Sequence, residues 1–167
     1  MVGIWVCRML KLSKKVDYGL MSLIHLAQRT ERASWSAREI AENYDIPLEL
    51  LAKILQKLVQ KGLLVSHAGT HGGYSLSRLA RKISAAEVIE AIEGPLSLTN
   101  CFSDDGLCNQ FEKCNVKSPL QRLNEIVAQT FRDLTIEEMS QQHSADLATG
   151  LSTEPRLVTI SAFEPDV

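Results

Sequence analysis

The sequence predicts a mainly α fold carrying one small β-hairpin, a cysteine-rich loop and a long C-terminal helix, and three observations carry that prediction. Apolar residues recur at three-to-four spacing through most of the first 94 residues, the period of helices that bury one face. A glycine-rich turn from Ala68 to Gly73 separates two short strand-like runs. Three of the four cysteines fall in the one stretch, 95–117, that has neither a helical nor a strand period. Aromatic residues are only 5% of the 167, so Leu, Ile and Ala are left to pack the core. The length suits one compact domain, or a small domain with an appendage.

Taken in order, a first helix is expected from Lys14 to Thr30, with Val16, Leu20, Leu23, Ile24 and Ala27 on its buried face. A polar loop leads to Ser36 and Glu39, a capping box that opens a short second helix through Ile40, Ala41 and Tyr44. Asp45-Ile46-Pro47 makes a tight connection, and Pro47 suits the first turn of a third helix. That helix runs from Leu48 to Lys61, with Leu48, Leu51, Leu55 and Leu58 as its core stripe and Gly62 as a left-handed cap. Leu63 to His67 and Tyr74 to Leu76 read as the two strands of the hairpin. Ser84 and Glu87 form a second capping box, opening a helix that Gly94-Pro95 stops near Glu93. Ser118-Pro119 starts the long helix, where Leu120, Leu123, Ile126 or Val127, Phe131 and Leu134 follow near-heptad spacing. Beyond Ser140 the pattern fades, and 141–167 reads as a flexible polar tail.

Two capped helices joined by a short turn and followed by a hairpin make a winged helix-turn-helix, in which the second helix of the pair enters the DNA major groove. Charge falls the same way. Residues 1–82 carry 13 Lys/Arg against 6 Asp/Glu, a net +7, whereas 83–167 carry 5 against 14, a net −9. A basic front half is what phosphate binding requires. On the recognition helix, Glu49, Leu50 and Lys53 lie towards the start of the exposed side, where base edges are met. Lys57 and Lys61 lie further back and, with Lys14 and Lys15, are expected at phosphates. Ser36 in the helix-turn-helix and the wing residues His71, Gly72, Gly73 and Tyr74 complete the expected DNA-binding set.

Cys101, Cys108 and Cys114 have the spacing Cys-x6-Cys-x5-Cys, so three thiolates can converge on one centre without long-range closure. Soft thiolates select zinc or an iron–sulfur cluster. The wide gaps differ from the Cys-x2-Cys knuckles usual at structural zinc, which favours the cluster. A protein set one cysteine short of four leaves a cluster labile and responsive. Cys7, far away in sequence, reads as part of an N-terminal extension. No apolar run approaches the roughly 20 residues that cross a bilayer, and Met1 to Arg8 is too short for a signal peptide; a cytoplasmic protein is expected. No nucleophile–base pairing appears, and Gly72-Gly73 lacks the lysine and strand-to-helix setting of a phosphate-binding loop, so an enzyme is not expected.

Together these residues resemble the Rrf-type winged-helix regulators, also called IscR-like or BadM-type. The resemblance covers about residues 9–140. Its carriers are Leu10 to Tyr18, Ser36-Ala-Arg-Glu-Ile-Ala41, Gly72-Gly-Tyr-Ser-Leu76, Ile83 to Gly94 and the three-cysteine loop. Asp17-Tyr18 and Gly94 to Cys101 look most like the branch that regulates the SUF iron–sulfur assembly operon.

The resemblance implies a homodimer joined through the long helix, a double-stranded DNA operator, and a repressor of iron–sulfur assembly genes that responds to its cluster. No membrane or small-molecule substrate is implied. It also implies a cluster, 2Fe–2S ahead of 4Fe–4S, on Cys101, Cys108 and Cys114 with a variable fourth ligand. Some relatives use a histidine where this chain has Lys117, which cannot ligate while protonated. Others use an acidic residue from the partner's first helix, the position of Asp17, with Asp104, Asp105, Glu112 and the histidines as lesser candidates. Ala68 stands where many relatives place a minor-groove arginine, leaving His67 and His71 as weaker substitutes. The implied organisation is an N-terminal extension at 1–8, a DNA-binding domain at 9–94, a cluster loop at 95–117, a dimerisation helix at 118–140 and the tail. Two other readings remain: a nitric oxide or redox sensor on the same scaffold, and a zinc-structured protein-interaction module.

Overall fold

In the computed structural model, which describes residues 12–69, 72–97 and 113–149, the first helix is the hub on which three of the other helices pack. Helix α1 (Lys14–Gln28) buries Val16, Leu20, Leu23 and Leu26, and at Gly19 it presents a surface without a side chain to α4. Ser36 caps α2 (Ala37–Asn43) with the full reciprocal box. Its hydroxyl accepts from the Glu39 N–H at 3.2 Å, and the Glu39 carboxylate accepts from the Ser36 N–H at 2.9 Å. A cap of this kind is worth about 1 kcal/mol.

The chain turns through Asp45, whose φ of +52° is one that short polar residues tolerate, and enters α3 (Leu48–Gln60) with Pro47 at the N-cap. The buried stripe of α3 is Leu51, Ile54, Leu55 and Leu58. Leu48, expected in that stripe, is instead 39% exposed and lines an open cleft beside α2. Leu50, expected on the solvent side, is half-buried against the core. Gly62 ends the helix at φ +73°, the left-handed cap that the sequence called for.

Strands β1 (Leu64–His67) and β2 (Gly73–Leu76) pair antiparallel, Leu64 opposite Leu76 and His67 opposite Gly73. A short 3-10 turn (Ala80–Lys82) then leads to α4 (Ala85–Glu93), capped by Ser84 and Glu87 and buried at six of its nine positions. Among the described residues the fold is therefore mainly helical with one two-stranded hairpin, as predicted.

The C-terminal part differs from expectation. Helix α5 (Lys117–Asp133) stops at Leu134, and a further helix, α6 (Ile136–Thr149), follows immediately. Thr135 caps α6 and Glu138 closes the box, its carboxylate 2.9 Å from the Thr135 N–H. Residues 141–149, assigned to a flexible tail, thus belong to a helix whose start packs on α1 and on the 3-10 turn. A two-bond bridge straps the starts of α4 and α6 together: Ala85 N–H to Leu134 C=O at 2.8 Å, and Ile136 N–H to Ile83 C=O at 2.9 Å. Ile83 and Ile136 are fully buried beside it.

Candidate nucleic-acid interface

Helix α3 separates its two faces cleanly. With Leu51, Ile54, Leu55 and Leu58 inward, the geometry of 3.6 residues per turn leaves Glu49, Lys53, Gln56, Lys57, Gln60 and Lys61 outward, and all are exposed. The first turn lies beside α2 across an open cleft lined by Arg38, Ala41, Glu42, Asp45, Ile46 and Leu48. Arg38 was not singled out from the sequence. Its signal was available, since it is the outward cation of the helix that precedes the turn. Lys14 and Lys15 are exposed at the start of α1, where the Lys14 ammonium lies 3.8 Å from Asp17. Both partners of that pair are well solvated, so it holds neither firmly.

The wing is seated on the helix-turn-helix by its backbone. Trp35 and Tyr74 exchange N–H···O=C bonds of 3.1 and 2.8 Å, which makes the residue before the α2 cap a third rung on the hairpin. A Cβ at Gly73 would lie 2.5 Å from the Trp35 carbonyl, and one at Gly72 would lie 2.5 Å from the His67 carbonyl. Both glycines are required by close backbone approach, a structural task. Tyr74 is half-buried against the core. The Ser36 hydroxyl is engaged in its own cap. His71 lies outside the described residues.

Beneath the wing, Trp35 is held from several sides. Its indole N–H donates to the Arg29 carbonyl at 3.2 Å, and the guanidinium groups of Arg29 and Arg32 lie 5.4 and 4.9 Å from its ring centre. His25 meets it edge-on at 4.9 Å and contacts Tyr44 through a 3.3 Å Nδ1···Oη interaction. Burial, and then the nearby Arg29 charge, push the His25 imidazole below its ordinary pKa, while burial raises the Tyr44 phenol. Glu39 is held below the usual carboxylate range, first by the Ser36 N–H and then by its hydroxyl. These groups build the support of the interface.

Of the expected metal ligands, Cys114 and Asp17 lie among the described residues, whereas Cys101 and Cys108 lie outside them. Cys114 is a free, half-buried thiol two residues before Val116, the N-cap of α5. Asp17 is half-exposed in the first turn of α1. Among the described residues no three His, Cys, Asp or Glu side chains converge as a metal site.

Helix α5 buries Ala128 alone. Val116, Leu123 and Ile126 are 50, 48 and 55% exposed, and Leu120, Val127 and Phe131 are half-buried. No helix among the described residues is long and apolar enough to cross a membrane.

A family model described as "Rrf2: Iron-dependent Transcriptional regulator" matches residues 12–142. Among solved structures, CymR (YrzC), the global cysteine regulator of B. subtilis, is similar at a TM-score of 0.66 and 27% identity, over 80% of this chain and 98% of that one. T. potens IscR is similar at 0.63 and 27% identity, over 83% and 90%. A transcriptional regulator from Listeria innocua, 24% identical with a TM-score of 0.64 over 93% and 96%, shares the fold.

Proposed function

The chain belongs to the Rrf2 family of DNA-binding transcriptional regulators, and from that premise we propose that it is a cluster-sensing repressor of iron–sulfur assembly genes. The observation that carries the proposal is the set of three thiols, Cys101, Cys108 and Cys114, placed directly before the exposed apolar stripe of α5. Rrf2 regulators are not enzymes, so the thiols have no catalytic step to serve, and we read their role as sensing.

Each element then has a part. Helix α3 enters the major groove, Glu49 and Lys53 face the base edges, and Lys14, Lys15 and Lys61 approach phosphates. Arg38 joins them from α2. The wing, seated on Trp35, carries His71 to the neighbouring backbone or groove. Two chains pair through Val116, Leu120, Leu123, Ile126 and Val127, a seam spaced for helix-to-helix packing. That pairing sets the distance between the two α3 helices and therefore the half-site spacing.

Cys101, Cys108 and Cys114 supply three soft thiolates for an iron–sulfur cluster, of the 2Fe–2S type, and Asp17 of the second chain supplies a hard oxygen donor. When bound, the cluster supplies redox and iron-dependent lability, the chemistry of a sensor. The half-exposed Asp17 carboxylate, tied only weakly to Lys14, is accessible to a second chain.

Anaerobic purification with visible absorption and iron and sulfide analysis tests the reading. Charge-transfer bands are expected in the native protein, absent from Cys101→Ala, Cys108→Ala and Cys114→Ala, and altered in Asp17→Ala. A colourless protein with stoichiometric zinc would instead make the loop a structural metal site. The equal identity to CymR, also solved in an oxidized form in Staphylococcus aureus, supports a second reading in which the thiols respond to oxidants directly. A metal-free protein whose DNA affinity changes reversibly with thiol oxidation would establish that alternative.

A further inference from the structure

We propose that Lys57 is a positioning residue that fastens α3 to the exit of α4, rather than a contact for DNA phosphate; this rests on the reading of α3 as the helix that enters the groove. The Lys57 ammonium donates to the carbonyl of Ile92 at 2.7 Å, across 35 residues of sequence. Ile92 lies in the last turn of α4, so its carbonyl is one of the four that a helix leaves without an intrahelical partner. A cation there also faces the negative end of the helix.

The same residue is gripped from a second side. The Ile92 side chain is buried, and its Cδ1 occupies the space where a Cβ at Gly19 would lie. Gly19 is two residues beyond Asp17 on α1. Gly94, at φ +96°, then ends α4, and the chain runs from it towards the three cysteines. Ile92 thus joins the helix that carries Asp17, the helix that faces DNA, and the helix that leads into the thiol-bearing segment. A displacement of the chain beyond Gly94 reaches α3 through this joint. The Ile92 bond commits one of the three Lys57 donors and draws the ammonium towards the end of α4.

The test uses the full chain and a duplex enriched by the wild-type protein from a random-sequence pool. Lys57→Met and Lys53→Met both remove an ammonium and keep an apolar stem. Each phosphate neutralised contributes about 0.9 to the slope of log affinity against log salt. Lys53→Met is expected to lower the slope by about one, whereas Lys57→Met leaves it unchanged. Without DNA, the Gly94 amide, bonded to the Glu90 carbonyl at 3.0 Å, is expected to exchange about tenfold faster in Lys57→Met.

A further readout is the ratio of duplex affinities between metal-free protein and protein reconstituted with iron and sulfide. A wild-type ratio of about fivefold or more is expected to fall towards one in Lys57→Met. Gly19→Ala, which displaces Ile92 without changing charge, is expected to shift that ratio and leave the slope alone. The proposal is overturned if Lys57→Met lowers the slope as Lys53→Met does while Gly94 exchange is unchanged. If neither lysine affects the slope, the recognition-helix reading fails and the positioning role falls with it. A wild-type ratio of one would remove the sensing reading, and slope and exchange would still decide the place of Lys57.

Discussion

Helices α4 and α5 are neighbours in sequence and pack together, yet they are held in the structure by opposite means. Helix α4 buries six of nine residues, among them Val88, Ile89 and Ile92, and is tied at both ends: by the Ser84 box at its start and by Lys57 at its exit. Helix α5 is nearly twice as long and buries one residue, leaving Leu123 and Ile126 about half exposed. The difference separates a helix stabilised within its own chain from one whose apolar stripe is left largely uncovered by the described residues. Burying a Leu or Ile side chain is worth roughly 1.5–3 kcal/mol, so an unburied seam is a substantial reserve for association.

The largest test of this contrast is Ile89→Ala. It should destabilise the protein by about 2–5 kcal/mol, through lost burial and the cavity left behind, at every protein concentration in a denaturant titration. The matching change in α5 should act differently. If the chain pairs through α5 as proposed, Leu123→Glu with Ile126→Glu should give a monomer by sedimentation, and should remove any concentration dependence of the thermal midpoint. If Ile89→Ala and the α5 pair proved alike in concentration dependence, the contrast would collapse.

Smaller effects sharpen it. Ser84→Ala and Thr135→Ala should each cost about 1 kcal/mol. The double variant should cost less or more than the sum, because the two caps flank one bridge. The smallest expected effect is from pH. His25 titrates lower in the folded chain than in the unfolded one, so the unfolded chain binds the extra proton as pH falls below about 6.5. Stability should therefore be fully present above that value and should decline below it, with the slope of one proton, until the folded imidazole also protonates. Glu31, Glu39, Arg29, Trp35 and Tyr44 surround the ring, and His25→Phe should flatten this part of the stability–pH curve.

Local chemistry was the most legible part of the sequence. The boxes at Ser36 and Ser84, the left-handed Gly62 and the stop at Gly94 all announce themselves through residue types that have few other uses. Thr135 with Glu138 carries the same signal, but it sits within a heptad-like run of leucines, and the apolar period hid the break. Leu48 and Leu50 exchanged roles because periodicity fixes angular position and says nothing of where a neighbouring helix leaves a cleft open. The exposed lysines of α3 were visible as a charged face. That one of them reaches Ile92 depends on how two helices cross, and no local pattern encodes it. The close approach at Gly73 was legible only as a turn glycine; its neighbour, the Trp35 carbonyl, lies 38 positions earlier.

That approach at Gly73 has an evolutionary consequence. The hairpin is plugged into the domain by main-chain atoms of Trp35 and Tyr74, so its attachment does not depend on which side chains occupy the tip from Ala68 to His71. A lineage can therefore exchange residues of the tip, such as the alanine found at 68, while the mount keeps its geometry. Divergence at the tip is decoupled from divergence in architecture, and the pair of adjacent glycines is what permits it.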